Sequence, residues 1–149
     1  MKIEEEIKQE KFKNEEHKAI INLIFTHNWL VGKMTPLFKD SEITLSQYNI
    51  LRILRGQSPG LANIAMIKER ILDKQPDISR LLDRLQLKGL VNKKPDPDDL
   101  RKCWFGITEK GLRRLTKLDP EINNFSGALK NLNSTEKKDL NALLDKLRG

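Results

Sequence analysis

A single cysteine, Cys103, stands in the chain of 149 residues, and only His17 and His27 supply imidazole. One thiol excludes an internal disulfide framework and any all-cysteine metal site. The two histidines fall on one expected helix at a spacing that projects them in different directions, so they cannot share a metal. The glycines are scattered and build no phosphate-cradling loop. Asp96, Asp98 and Asp99 begin no calcium-loop pattern; interleaved with Pro95 and Pro97, they read as a turn. No apolar run approaches the ~18 residues of a membrane-spanning helix. The N-terminus, MKIEEEIKQEKFKNEEH, is charged throughout and has no signal-peptide core. No nucleophile–base pairing emerges. These absences argue against an enzyme, and no cofactor, metal or membrane partner is expected. The chain reads as cytoplasmic, reduced and soluble.

What is present is charge. Charged residues make up 33% and hydrophobic residues 38%, which is lean for a self-sufficient globule and suits an elongated or obligately paired one. The length fits one domain, residues 1–149. The net charge of +7 is unevenly placed. Residues 52–114 carry 15 basic and 8 acidic groups, whereas residues 1–18, 19–51 and 115–149 are each within one charge of neutral. A basic centre between neutral ends suggests a polyanion site, with a solvated lysine-rich surface as the bland alternative.

Apolar periodicity sets out a mainly helical chain. From Glu4 to about Lys39 it predicts one long helix, or two in line. Ile20, Ile24, His27, Val31, Met34 and Phe38 make the stripe, and Gly32 and Pro36 weaken its end. Thr44 with Gln47 is a capping-box signal for a second helix, with Tyr48, Leu51 and Leu54 inward. A third, short helix is expected from Leu61 to Leu72. The turn Asp73-Lys74-Gln75-Pro76 leads into a fourth, with proline at its first position and Gly89 at its C-cap. Ile78, Leu81, Leu82 and Leu85 give its core stripe. Two short helices so joined match a helix-turn-helix. Leu90–Lys94 and Cys103–Ile107 then predict a β-hairpin placed as a wing. Thr108 starts a fifth helix to about Leu118, with a resumption past Pro120 to Leu132. Asn133 with Glu136 caps a last helix bearing Leu140, Leu143, Leu144 and Leu147.

With the core stripe inward, Gln75, Pro76, Asp77, Ser79, Arg80 and Arg84 form or flank the outer face at the start of the fourth helix, along with Asp83. A major groove admits one helix, and arginines can fork onto guanine or hold phosphate. Lys93, Lys94, Arg101 and Lys102 cluster around the hairpin tip, suited to the minor groove and its backbone. Asp99, two residues before Arg101, can hold that arginine in place.

These residues carry a family resemblance. Leu85-Gln86-Leu87-Lys88-Gly89-Leu90-Val91, then Asp99-x-Arg101 and Ile107-Thr108-Glu109-Lys110-Gly111, resemble the MarR family of winged-helix transcriptional regulators. Thr44-Leu45-Ser46-Gln47-Tyr48-Asn49-Ile50-Leu51 looks like that family's opening of its second helix. The resemblance implies a winged helix-turn-helix over about residues 44–114, with N- and C-terminal dimerisation helices over about 1–40 and 120–149. It implies a homodimer on a roughly palindromic DNA operator, and in many relatives release by a small aromatic or anionic ligand. Position 100 is Leu where similar proteins carry a second basic residue, and Leu87 is apolar on an outer face. Cys103 lies in the wing, away from the N-terminal helix where thiol-sensing relatives place theirs.

The expected function is a dimeric, sequence-specific DNA-binding transcriptional regulator, a repressor released by a ligand. The alternative is a winged-helix protein-interaction module with little DNA binding. Ile20, Ile24, Val31, Leu140, Leu143, Leu144 and Leu147 are the expected dimer residues. His27, Trp29, Tyr48 and Arg52 are the candidate ligand-pocket residues, with an ordinary core role as the competing account of His27 and Tyr48.

Overall fold

A computed structural model describes residues 1–73, 77–99 and 101–149. Contacts divide the chain into two units, Met1–Pro36 and Leu37–Gly149. In the first, α1 (Ile3–Glu6) and α2 (Glu15–Met34) are separate helices. Of the two expectations for this stretch, one long helix or two, the single continuous helix is not formed. Lys8 takes the left-handed φ of 53°, and Asn14 restarts the helix by accepting the His17 N–H at 2.9 Å. Glu4 and Lys18 pair at 2.6 Å, tying α1 to α2. At the other end the α-helix stops at Met34 and Thr35–Ser41 continues as 3-10 helix. Pro36 accounts for the change, since it offers no N–H to the carbonyl four residues back. None of the residues of α2 is buried.

The second unit holds α3 (Leu45–Gln57), β1 (Ala62–Asn63), α4 (Ile64–Arg70), α5 (Ile78–Leu87), β2 (Val91–Pro95), β3 (Cys103–Ile107), α6 (Glu109–Asn124), a 3-10 turn at Phe125–Leu129 and α7 (Ser134–Arg148). The capping box of α3 is formed: Gln47 N–H donates to Thr44 Oγ1 at 3.2 Å, and Thr44 N–H donates to Gln47 Oε1 at 3.1 Å. The strands make an antiparallel sheet in the order β1-β3-β2. This is a mainly helical winged helix with a small sheet. Its core is aliphatic: Ile50, Leu51 and Leu54 of α3, Ile67 of α4, Leu82 and Leu85 of α5, Leu90 and Leu115 are all fully buried.

Two sequence expectations are corrected here. The third helix is shorter than Leu61–Leu72, because Ala62 and Asn63 pair with Phe105 and Trp104 as a third strand, and Asn63 then caps α4 by accepting the Met66 N–H at 2.9 Å. The fifth helix does not break at Pro120, which sits inside an unbroken α6.

The junction between α5, the hairpin and α6 explains a sequence signature. Gly89 ends α5 at φ +69°, a conformation that favours glycine. The Thr108 hydroxyl donates to Gly89 O at 2.8 Å and accepts the Gly111 N–H at 3.1 Å, capping α6. A Cβ at residue 111 would come within 2.4 Å of Leu90 O, so only glycine lets α6 begin this close to the strand. The Thr-x-x-Gly motif is thus a close-packing device.

Candidate nucleic-acid interface

Helix α5 is presented by its buried face. Ile78, Leu82 and Leu85 point into the core, leaving Ser79, Arg80, Asp83 and Arg84 exposed on the opposite side. Asp77 is the N-cap and accepts the Arg80 N–H at 3.1 Å, so its carboxylate is engaged in starting the helix rather than facing a partner. The helix therefore starts at Ile78, later than the proline-led start expected from the sequence. Gln75 and Pro76 lie outside the described residues, as does Leu100. At its other end α5 is fastened to the unit: Lys88 Nζ donates to Glu42 O, and Lys110 Nζ donates to Lys88 O at 2.8 Å. Among the described residues, no carboxylate lies within ion-pair distance of the Arg80 or Arg84 guanidinium.

The hairpin brings the second set of cations. Its register places Lys93 opposite Phe105 and Lys94 opposite Trp104. The Lys93 ammonium lies over the Phe105 ring, 5.9 Å from its centroid. Lys93, Lys94, Arg101 and Lys102 are all exposed. The Arg101 side chain is 92% exposed, yet it is oriented: its backbone N–H and its Nε–H both donate to Asp99 Oδ1 at 3.1 Å. Lys102 Nζ is 3.5 Å from the other Asp99 oxygen. Arg101 foremost, with Lys102, holds the Asp99 carboxyl below the ordinary aspartate value.

Helix and wing converge on one cleft of about 420 Å³. Ser79 and Asp83 of α5 line it together with Lys93, Arg101 and Lys102 of the wing. Asn63, Ile64 and Ala65, with Cys103 and Phe105, complete the lining. Cys103 is half-buried and pairs across the hairpin with Pro95. Sequence reasoning missed Asn63 and Asp96. Asn63 stands immediately before an apolar helix start, which is a capping signal. Asp96 accepts a bond from Trp104, which needs the hairpin register to be seen.

The remaining candidates are distributed between the two units. His27 and Trp29 are exposed on α2, where Lys33 Nζ lies 5.1 Å from the Trp29 ring centroid. Tyr48 is buried in the second unit, tilted against Phe38 at 5.2 Å, and Arg52 is exposed on α3. Among the described residues, no cluster of potential metal ligands forms and no helix is long and apolar enough to cross a membrane.

Comparison with known proteins gives the family and the fold. The model of the MarR family matches residues 43–103, from the loop before α3 to the first residue of β3. The HTH-type transcriptional repressor NicR of Pseudomonas putida is 31% identical over 109 residues, covering 72% of this chain and 68% of that protein. A MarR transcription factor of Planctomyces limnophilus superposes with a TM-score of 0.71 at 29% identity, over 91% of this chain and 98% of its own. Bordetella bronchiseptica BpsR, solved for the regulation of its DNA binding by 6-hydroxynicotinic acid, superposes with a TM-score of 0.79 at 21% identity, over 89% and 99% of the two chains. With an exposed arginine-bearing helix followed by a basic wing in a winged helix, the chain belongs to the MarR family and is a DNA-binding transcriptional regulator, not an enzyme.

Proposed function

We propose that the chain works in the cytoplasm as a homodimeric repressor on a roughly palindromic operator, and that a small aromatic or anionic ligand releases it. The observation that carries the DNA part is the shared cleft, where Ser79 and Asp83 of α5 meet the wing cations Lys93, Arg101 and Lys102. In this reading Ser79, Arg80 and Arg84 enter the major groove and read base edges. Lys93, Lys94, Arg101 and Lys102 follow the backbone and the adjacent minor groove. Two copies related by a two-fold axis would present two such helices to half-sites about one helical turn apart.

Dimerisation is supported by apolar residues left in the open. Ile20 and Ile24 of α2 are 56% and 57% exposed, and Leu143 and Leu147 of α7 are each 65% exposed. Val31 and Leu144 are half-buried beside them in sequence. Stripes of this kind on terminal helices call for a second copy.

Ligand control is supported by the relatives. BpsR is regulated by 6-hydroxynicotinic acid, and NicR is named a repressor. Release then follows from population shift: a ligand that favours a half-site spacing unsuited to DNA lowers operator affinity by its differential binding. Substituting His27, Trp29, Tyr48 and Arg52 one at a time tests their part in ligand response.

Leu87 favours a second reading, a protein-docking module, because it is 88% exposed at the end of α5. A mobility-shift assay on the DNA upstream of the chain's own gene separates the two. The repressor reading expects binding that weakens with salt and is reversed by phenolic or aromatic acids. Salt-insensitive or absent binding to that DNA would favour docking instead.

A further inference from the structure

The tip of the wing carries three acidic residues, Asp96, Asp98 and Asp99, where a phosphate backbone is to be met. Each costs electrostatic attraction, so each needs a reason to be there. Asp99 orients Arg101 directly. Asp96 is engaged more deeply. Its Oδ1 accepts the backbone N–H of Asp98 at 2.9 Å and of Asp99 at 3.1 Å, and its Oδ2 accepts the Trp104 indole N–H at 2.7 Å. Its own N–H donates to Lys102 O at 3.0 Å. Trp104 is the anchor of this set, because it pairs with Lys94 of β2 on one side and Asn63 of β1 on the other. The bonds therefore run in series from the middle of the sheet, through Trp104 and the Asp96 carboxylate, to the backbone of Asp99, and from the Asp99 carboxylate to Arg101.

We propose that Asp96 is a positioning residue of the DNA interface, which clamps the wing tip to Trp104 and thereby sets where Asp99 presents Arg101. This rests on the DNA reading above. Asp96 touches no DNA itself. Its work is to spend the ordering entropy of the tip before binding, so that an almost fully exposed arginine does not have to be immobilised on contact. Asp98 supplies the control within the same turn: among the described residues its carboxylate accepts no hydrogen bond and no ion pair.

The test is operator binding across a salt series by wild type, Asp96→Ala, Asp98→Ala, Arg101→Ala and the Asp96→Ala/Arg101→Ala pair, with thermal melting to confirm folding. Asp96→Ala is expected to weaken binding on the order of tenfold, and to add little once Arg101 is already removed. Asp98→Ala removes the same charge and is expected to leave binding unchanged or tighter. Trp104→Phe keeps the ring and loses the N–H, and it covers the case in which Asp96→Ala does not fold. It is expected to reproduce part of the loss. The Trp104 indole N–H resonance reports the bond directly and should move upfield in Asp96→Ala. Wild-type affinity in Asp96→Ala, or a loss that persists in full without Arg101, overturns the proposal while the DNA reading stands. Failure of the wild type to bind the operator overturns the DNA reading itself.

Discussion

Arg80 and Arg101 are both exposed cations, yet they are held differently. Arg80 belongs to a helix and, among the described residues, has no carboxylate partner, whereas Arg101 lies on a hairpin tip and is oriented by Asp99. Arg101→Ala should weaken binding to all sequences and reduce the salt slope by about 1 per subunit, as expected for a lost phosphate contact. Arg80→Ala should instead relax preference at particular base pairs, at a cost of roughly 1–3 kcal/mol per lost bidentate contact. Binding isotherms on operator and scrambled DNA across a salt range distinguish the two. The wing is also expected to respond to acid. Trp104 foremost, with the backbone of Asp98 and Asp99, lowers the Asp96 carboxyl below its ordinary value, and Arg101 does the same for Asp99. A depressed folded-state value means that the ordering is intact above the ordinary aspartate range and lost as pH falls through the depressed one. The Trp104 indole resonance should stay constant from neutral pH to the ordinary range and shift only below it. At this scale the cations were legible because charge and helical period suffice to place them. The role of Asp96 was not, because its partner is eight positions away and meets it only once the hairpin has closed.

Three helix starts were legible, and for a local reason. Thr44, Thr108 and Asn133 each cap a backbone N–H three residues on, so the whole interaction is written within four positions. The elements that escaped prediction are those decided elsewhere. β1 is two residues long and has no period to detect; it exists because β3 offers Phe105 and Trp104 as partners. Pro120 was read as a break, but α6 continues through it. The break that does occur, after α1, falls in a charged stretch without an apolar stripe to hold a helix, with Asn14 ready to start a new one. The caps also differ in what rests on them. Thr44 Oγ1 accepts one N–H, and the reciprocal bond, from the Thr44 backbone N–H to Gln47 Oε1, does not depend on that hydroxyl. Thr108 Oγ1 both caps α6 and binds Gly89 O, joining the end of α5 to the start of α6. Thr44→Ala is therefore expected to cost about 1 kcal/mol. Thr108→Ala should cost roughly 1–3 kcal/mol, since a hydrogen bond is lost with the cap. Chemical denaturation of both variants under one buffer gives the comparison, and equal losses would mean that the Gly89 bond contributes nothing.

On the scale of the whole molecule, the apolar residues fall into two populations. One is the core of the second unit, where Ile50, Leu51, Leu82, Leu85 and Leu115 have no exposed surface. The other is the set on the terminal helices, where neither α2 nor α7 buries a single residue. The first explains why the winged helix holds together. The second is what the proposed pairing would cover, since isoleucines and leucines at helical spacing are exposed there in a chain only 38% hydrophobic. The charge distribution agrees, since residues 115–149 are near neutral while residues 52–114 hold the excess, so two copies could approach through their ends and keep their basic faces for DNA. Leu143 and Leu147 make the decisive test because they are largely exposed: in a monomer, changing each to glutamate removes little buried surface and should cost about 0.5 kcal/mol or less per site. In an obligate dimer the same change places charges in the interface, and folding and association fail together. Sedimentation of the wild type at micromolar concentration is expected to give twice the chain mass of 17.3 kDa, and the double variant a monomer or an unfolded chain. A wild type that sediments as a stable monomer, with a double variant that melts like it, would refute the paired repressor.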